Sequence, residues 1–207
     1  MSKGEQTRQA ILGEAAQVFS ISGYAGTSMD ALTRATGLTK GGIYNHFGSK
    51  EALALEAFDF ARQLIQERFN EIIQDRHHPI DRLMAVVLVF RSIIYDPLLQ
   101  GGCPVLNTAT EADDTNPALR ERAQQASSQW RTFITQTVKQ GIEEQQLQPE
   151  TKPDMVATVL IATLEGAIML SKLYGDLIYM DQAVEHLSCY VQSLGNESGS
   201  QRGSLNR

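Results

Sequence analysis

The segment Thr27-Ser-Met-Asp-Ala-Leu-Thr-Arg-Ala-Thr-Gly-Leu-Thr-Lys-Gly-Gly-Ile-Tyr-Asn-His-Phe47 reads as two helices of one to two turns joined at Gly37, the spacing of a helix-turn-helix. Thr27 and Asp30 form a Thr-x-x-Asp version of the capping box, opening the first helix, which runs to about Thr36. Gly37 supplies the left-handed backbone of the turn. Leu38 and Ile43 then stand at N′ and N4 around the cap Thr39 as a hydrophobic staple. With Met29, Leu32, Ala35, Ile43 and Phe47 facing inward, the outward face carries Lys40, Gly41, Gly42, Tyr44, Asn45 and His46. Two adjacent glycines cost about 1 kcal/mol each against alanine in a helix, and they let backbone approach a groove closely. The Asn45 amide has the donor and acceptor to pair bidentately with adenine N6 and N7. Lys50, in the first turn of a further helix capped by Ser49, is placed to hold a phosphate together with free backbone N–H groups.

The remainder is also helical in pattern. No segment sustains the alternation of a strand, whereas apolar residues recur at helical spacing throughout, so the expected fold class is all-α. Ile11, Ala15, Val18, Phe19 and Ser22 share one stripe of a first helix that Gly23 ends, before a Tyr24-Ala25-Gly26 turn. The helix after Ser49 carries Leu53, Ala57, Ala61, Leu64 and Arg68 along one side and stops in the polar stretch Asp75 to Pro79. Helices follow at about Ile80–Tyr95, Cys103–Ala112, Pro117–Gln145, Pro153–Tyr174 and Asp181–Leu194. The Gly/Ser/Asn-rich tail from Gly195 to Arg207 is expected to be disordered.

A net charge of −6 over 207 residues argues at first against a nucleic-acid partner, but the acidity is unevenly placed. Up to residue 50, Lys3, Arg8, Arg34, Lys40 and Lys50 stand against Glu5, Glu14 and Asp30, a mildly basic head on an acidic body. Two cysteines, Cys103 and Cys189, are too few for a disulfide framework and read as reduced thiols in a cytosolic protein. The N-terminus lacks the pattern of a secretory signal. The apolar stretches Leu83–Phe90 and Met155–Leu170 are shorter than the roughly 20 residues of a bilayer span, so no membrane association is expected. His77-His78 with Asp81 reads as a solvated turn and not as a metal site. No nucleophile-base pair, phosphate loop or carboxylate pair marks an enzyme, and no cofactor is expected.

Thr39-Lys-Gly-Gly-Ile-Tyr-Asn-His-Phe-Gly-Ser-Lys-Glu-Ala-Leu53 resembles the recognition-helix signature of the tetracycline-repressor (TetR/AcrR) family of bacterial regulators, with matching residues from about Thr7 to Leu55. The resemblance implies a three-helix helix-turn-helix domain over 1–52 and a helical effector-binding and dimerisation domain over 53–194. It implies that Tyr44, His46 and Lys50 contact phosphates, that Thr27 caps at the backbone beside Ser28, and that Lys40 and Asn45 reach bases. Many members have Ser or Thr where this chain has Gly42, so a hydroxyl contact is lost there. The implied partners are a pseudo-palindromic operator in double-stranded DNA, a second copy of the chain and a small-molecule effector. The implied location is the bacterial cytoplasm.

In the body, Pro153–Tyr174 is apolar nearly all round, and one face is expected to meet a partner. Phe90, Leu106, Asn107, Trp130, Phe133 and Met169 are candidates to line an effector pocket, or else are core packing. Glu165 and Lys172 interrupt a buried-looking helix, either lining that pocket or pairing at the dimer rim. Cys103, ahead of Pro104 at a helix start, resembles a Gly-Cys motif in a branch of the family that senses electrophiles or oxidants. The alternative for this thiol is a small buried hydrophobe. The expected function is a ligand-responsive homodimeric repressor. An activator or a thiol-based sensor of the same family is the alternative, and a helical-bundle enzyme a remote one.

Overall fold

The computed structural model describes residues 2–196. Over these residues the chain is all-α: α1 Lys3–Gly26, α2 Met29–Thr36, α3 Lys40–Phe47, α4 Lys50–Ile73, α5 Pro79–Tyr95, α6 Pro104–Ala112, α7 Pro117–Glu143, α8 Pro153–Tyr174 and α9 Ile178–Ser193. Extended pairing among the described residues is limited to one isolated antiparallel bridge between Leu147 and Gly195. Gly195 and Asn196 are therefore ordered by the turn after α7, the Asn196 N–H donating to the Gln146 carbonyl. The rest of the expected disordered tail lies outside the described residues.

Local chemistry explains most of the boundaries. Ser2 and Glu5 form a reciprocal capping box at the start of α1. Gly23 breaks α1 as its sequence suggests, with φ 70° and ψ 173°, but Tyr24 to Gly26 coil into one more turn instead of a loop. The Asn116 side chain caps α7 by accepting from the Leu119 N–H at 3.1 Å. α7 ends at Glu143, two residues before the expected Gln145, which adopts φ 59°. α9 opens at Ile178, earlier than the expected Asp181, because Asp176 accepts the Ile178 N–H at 2.9 Å and starts the helix there.

The helices form two compact units. The first comprises residues up to Gln66 together with Pro97–Ser127, and the second comprises Glu67–Asp96 and the described residues from Ser128 on. In the first, Ile11, Leu12, Ala15, Ala16, Leu32, Ile43, Phe47, Leu53, Ala57 and Ala61 make one buried cluster, with Met29 and Leu38 packed against it. α6 packs on α1 within this unit.

In the second, α5 lies against α8 and α9, burying Leu83, Val86, Val87, Phe90, Leu160, Leu164, Ile168, Leu187 and Val191. Among the described residues α8 is the one helix long and apolar enough to cross a membrane, a length that the apolar stretch Met155–Leu170 understated. One side of it is occupied by α5 and α9 as a core helix would be. Its other side leaves Met155, Met169 and Leu173 at least half exposed.

Candidate nucleic-acid interface

α3 is held by its ends and by two buried side chains. Thr39 caps it, its Oγ1 accepting from the Gly42 N–H at 3.1 Å. Gly37, at φ 68° and ψ 9°, closes α2 by donating to the Thr33 carbonyl, and Gly48, at φ 72°, closes α3 by donating to the Tyr44 carbonyl at 2.8 Å. Ser49 then caps α4, accepting from Ala52. Ile43 and Phe47 are buried beneath the helix, and Arg8 lies over the Phe47 ring at 4.6 Å while pairing with Glu56. The orientation of α3 is thus set by core contacts that leave its other side free.

That side carries Lys40, Gly41 and Asn45 exposed, with Gly42, Tyr44 and His46 half-buried. The Lys40 ammonium stands 5.8 Å from the Tyr44 ring, so cation and phenol share one end of the face. A Cβ added at Gly41 would meet nothing within 4 Å, and one at Gly42 would meet the Thr39 hydroxyl at 3.4 Å. The fold therefore has open room for a Cβ at Gly41, whereas one at Gly42 would press on the cap hydroxyl. Packing is not what places a glycine at position 41.

Two of the sequence-selected residues turn elsewhere. Thr27 is buried, its hydroxyl donating to the Gly23 carbonyl at 2.6 Å, and the cap of α2 is the exposed Ser28, which accepts from the Ala31 N–H. The expected cap is corrected by one residue, because the break at Gly23 leaves a carbonyl that Thr27 satisfies. The Lys50 ammonium donates to the Tyr24 carbonyl at 2.6 Å and sits 4.3 Å from the Tyr24 ring.

Tyr24 is gripped from a second side by a residue that the sequence did not single out. Glu111 on α6 accepts from the Tyr24 N–H at 2.8 Å and from the Ala25 N–H at 2.7 Å. The only signal in the sequence was the break itself, since a glycine at positive φ leaves amides and carbonyls without helical partners.

The candidate effector residues fall into two groups. Cys103, Leu106 and Asn107 belong to the first unit, and Phe90, Trp130, Phe133, Glu165 and Met169 to the second. Cys103 is buried at the cap of α6 with no side-chain cap hydrogen bond. Asn107 is committed internally, donating to the carbonyls of Gly101 at 2.8 Å and Ser20 at 3.3 Å. It also lines a small open cleft of about 50 Å³ with Phe19, Tyr24, Phe58 and Glu111. Trp130 meets Phe69 and Phe90 edge-on at 4.9 and 5.4 Å, and Phe133 meets Phe69 at 4.9 Å, a closed aromatic cluster. Leu106 and Glu165 are half-buried, while Met169 and Lys172 face outward from α8.

Residues 11–57 match the family described as bacterial regulatory proteins, tetR family, and residues 79–187 match the tetracyclin repressor-like C-terminal domain. The chain belongs to the TetR family. A TetR transcriptional regulator from Chloroflexus aurantiacus shares 45% identity and superposes with a TM-score of 0.90, covering 94% of this chain and 98% of that one. A TetR-family regulator from Cytophaga hutchinsonii shares 36% identity at a TM-score of 0.85, with the same coverage. The transcriptional repressor DhaR from a Mycobacterium species is 28% identical over 203 residues, 92% of this chain and 97% of its own. As a TetR protein, the chain is a DNA-binding transcriptional regulator and not an enzyme. It is a homodimer with a helix-turn-helix at its N-terminal end and a dimerisation and ligand domain of C-terminal helices.

Proposed function

We propose that the protein is a ligand-responsive repressor whose homodimer reads a pseudo-palindromic operator with the outward face of α3. The observation that carries this reading is that face itself. Lys40, Gly41 and Asn45 are exposed on a helix capped at both ends, and Gly41 has no packing reason to be glycine. Lys40 and Asn45 would read base edges, while Tyr44 and His46 would position the helix on phosphates. Repression rather than activation is supported by the function in the name of DhaR.

The dimer would form through the exposed side of α8, where Met155, Met169 and Leu173 are left uncovered, together with α9. This assigns the apolar surface of α8 to a second copy and not to a bilayer, in keeping with a cytoplasmic protein. An effector that binds one of two dimer states more tightly would change operator affinity by that difference. Selection of duplexes from a randomised pool, followed by footprinting, tests the reading. The expected result is a protected pseudo-palindrome with half-sites about one helical turn or somewhat more apart. Recovery of no preferred sequence would remove it.

A further inference from the structure

We infer that Glu111 is a positioning residue for DNA binding, holding the joint between α1 and the helix-turn-helix from its place on α6; the inference rests on the proposed reading of α3 as the DNA-contacting helix. At Gly23 the helical ladder stops, and every backbone group named at the break finds a side chain instead. The N–H groups of Tyr24 and Ala25 donate to the two oxygens of Glu111. The Tyr24 carbonyl accepts from Lys50, the Gly23 carbonyl from Thr27 and the Ser20 carbonyl from Asn107.

Two of these four side chains, Asn107 and Glu111, stand one turn apart on α6, and Lys50 is the first residue of α4. The joint is therefore shaped by α6 and α4 as much as by its own sequence. The approach is close. A Cβ at Gly23 would lie 2.6 Å from Glu111 Oε2, and one at Gly101 would lie 2.2 Å from the Ser20 carbonyl oxygen. α6 and the loop before it are thus fastened to the last two turns of α1 at successive points, and the Glu111 carboxylate is the contact nearest to α2.

A carboxylate with two N–H donors is a charge-assisted arrangement, stronger than the neutral bonds a continuous helix would supply. Without it the two amides turn to water, which fixes no direction, and the direction in which α2 and α3 leave α1 is less narrowly defined. Specific DNA binding needs both recognition helices of the dimer in register at once, whereas non-specific phosphate contact does not. Loss of Glu111 thus weakens the first and spares the second.

The test compares wild type, Glu111→Gln and Glu111→Ala as full chains. Each is measured for binding to the duplex that wild type selects from a randomised pool and to a scrambled duplex of equal length, and for dimer mass, thermal midpoint and amide exchange. Faster exchange at Tyr24 and Ala25 is expected, with unchanged dimer mass. The affinity for the selected duplex should fall by up to about tenfold, bounded by the energy of one charge-assisted hydrogen bond, while the scrambled duplex binds as before. A parallel fall on both duplexes with a lowered thermal midpoint marks a merely structural role and overturns the inference, as does full discrimination in both variants. Glu111→Gln keeps the side-chain shape and decides the matter should Glu111→Ala not fold. Failure of the underlying reading shows itself differently: wild type then selects no duplex at all, and both conclusions are withdrawn.

Discussion

At Gly41 the helix interior is open on the side away from the core, so a methyl group there touches nothing in the protein. Alanine in place of glycine at this position should stabilise the fold by about 0.5–1 kcal/mol, through helix propensity and a less disordered unfolded chain. The same methyl would stand between α3 and the groove. Gly41→Ala is therefore expected to raise the thermal midpoint and lower operator affinity, two measurements that move in opposite directions. An affinity equal to wild type would show that the glycine serves no DNA approach. Asn45→Ala should cost about 1–3 kcal/mol and relax preference at a single base position, read by repeating duplex selection with the variant. Cys103 invites a different expectation from the one its helix-start position suggested. It is buried, whereas Cys189 is exposed. In Cys189→Ser, a thiol-specific disulfide reagent should thus titrate no thiol in the native protein and one after unfolding. Rapid native labelling of Cys103 would restore the sensing alternative.

Each short helix of the DNA-binding region is made by its ends, and the ends are where local and long-range chemistry meet. Thr39 and Ser49 cap α3 and α4 as the residues on either side of them dictate. The α1–α2 joint behaves otherwise. Its amides are satisfied by Glu111, 87 residues later for Tyr24, and its capping residue moves from Thr27 to Ser28 because Thr27 is spent on the Gly23 carbonyl. Gly23→Ala would force a Cβ into a left-handed backbone and against the Glu111 carboxylate. A destabilisation of about 1–3 kcal/mol is expected, measured by denaturant unfolding, and it should be partly relieved when Glu111→Ala is combined with it. Strict additivity of the two substitutions would show that they do not share the joint.

At the scale of the assembly, the exposed side of α8 is the surface proposed above to meet the second copy. Leu173 is 69% exposed and Met169 50%, on a helix whose other side is buried by α5 and α9. A charge at the centre of an interface built on these residues leaves it buried and unpaired, so Met169→Asp or Leu173→Asp should yield monomers at micromolar concentration by light scattering, with helicity retained. Dimers in both variants would move the interface elsewhere. The helix-turn-helix, the all-α class and the outward residues of α3 are legible in the residues alone, because periodicity, caps and glycine breaks act over a few residues and need no distant partner. Which polar groups meet across the chain follows only from how the helices pack. Lys50 lies on Tyr24, Glu111 closes the break at Gly23, and Asn107 serves Ser20 and Gly101. That packing also decided that Trp130 and Phe133 close on Phe69, and Phe90 on Trp130, in one unit while Cys103, Leu106 and Asn107 belong to the other. A helix pattern says which side of a helix is apolar, but not which other helix will cover it. The pairing of buried polar groups follows from that packing, because each donor or acceptor left over by a break must take whatever partner the neighbouring helix brings within reach.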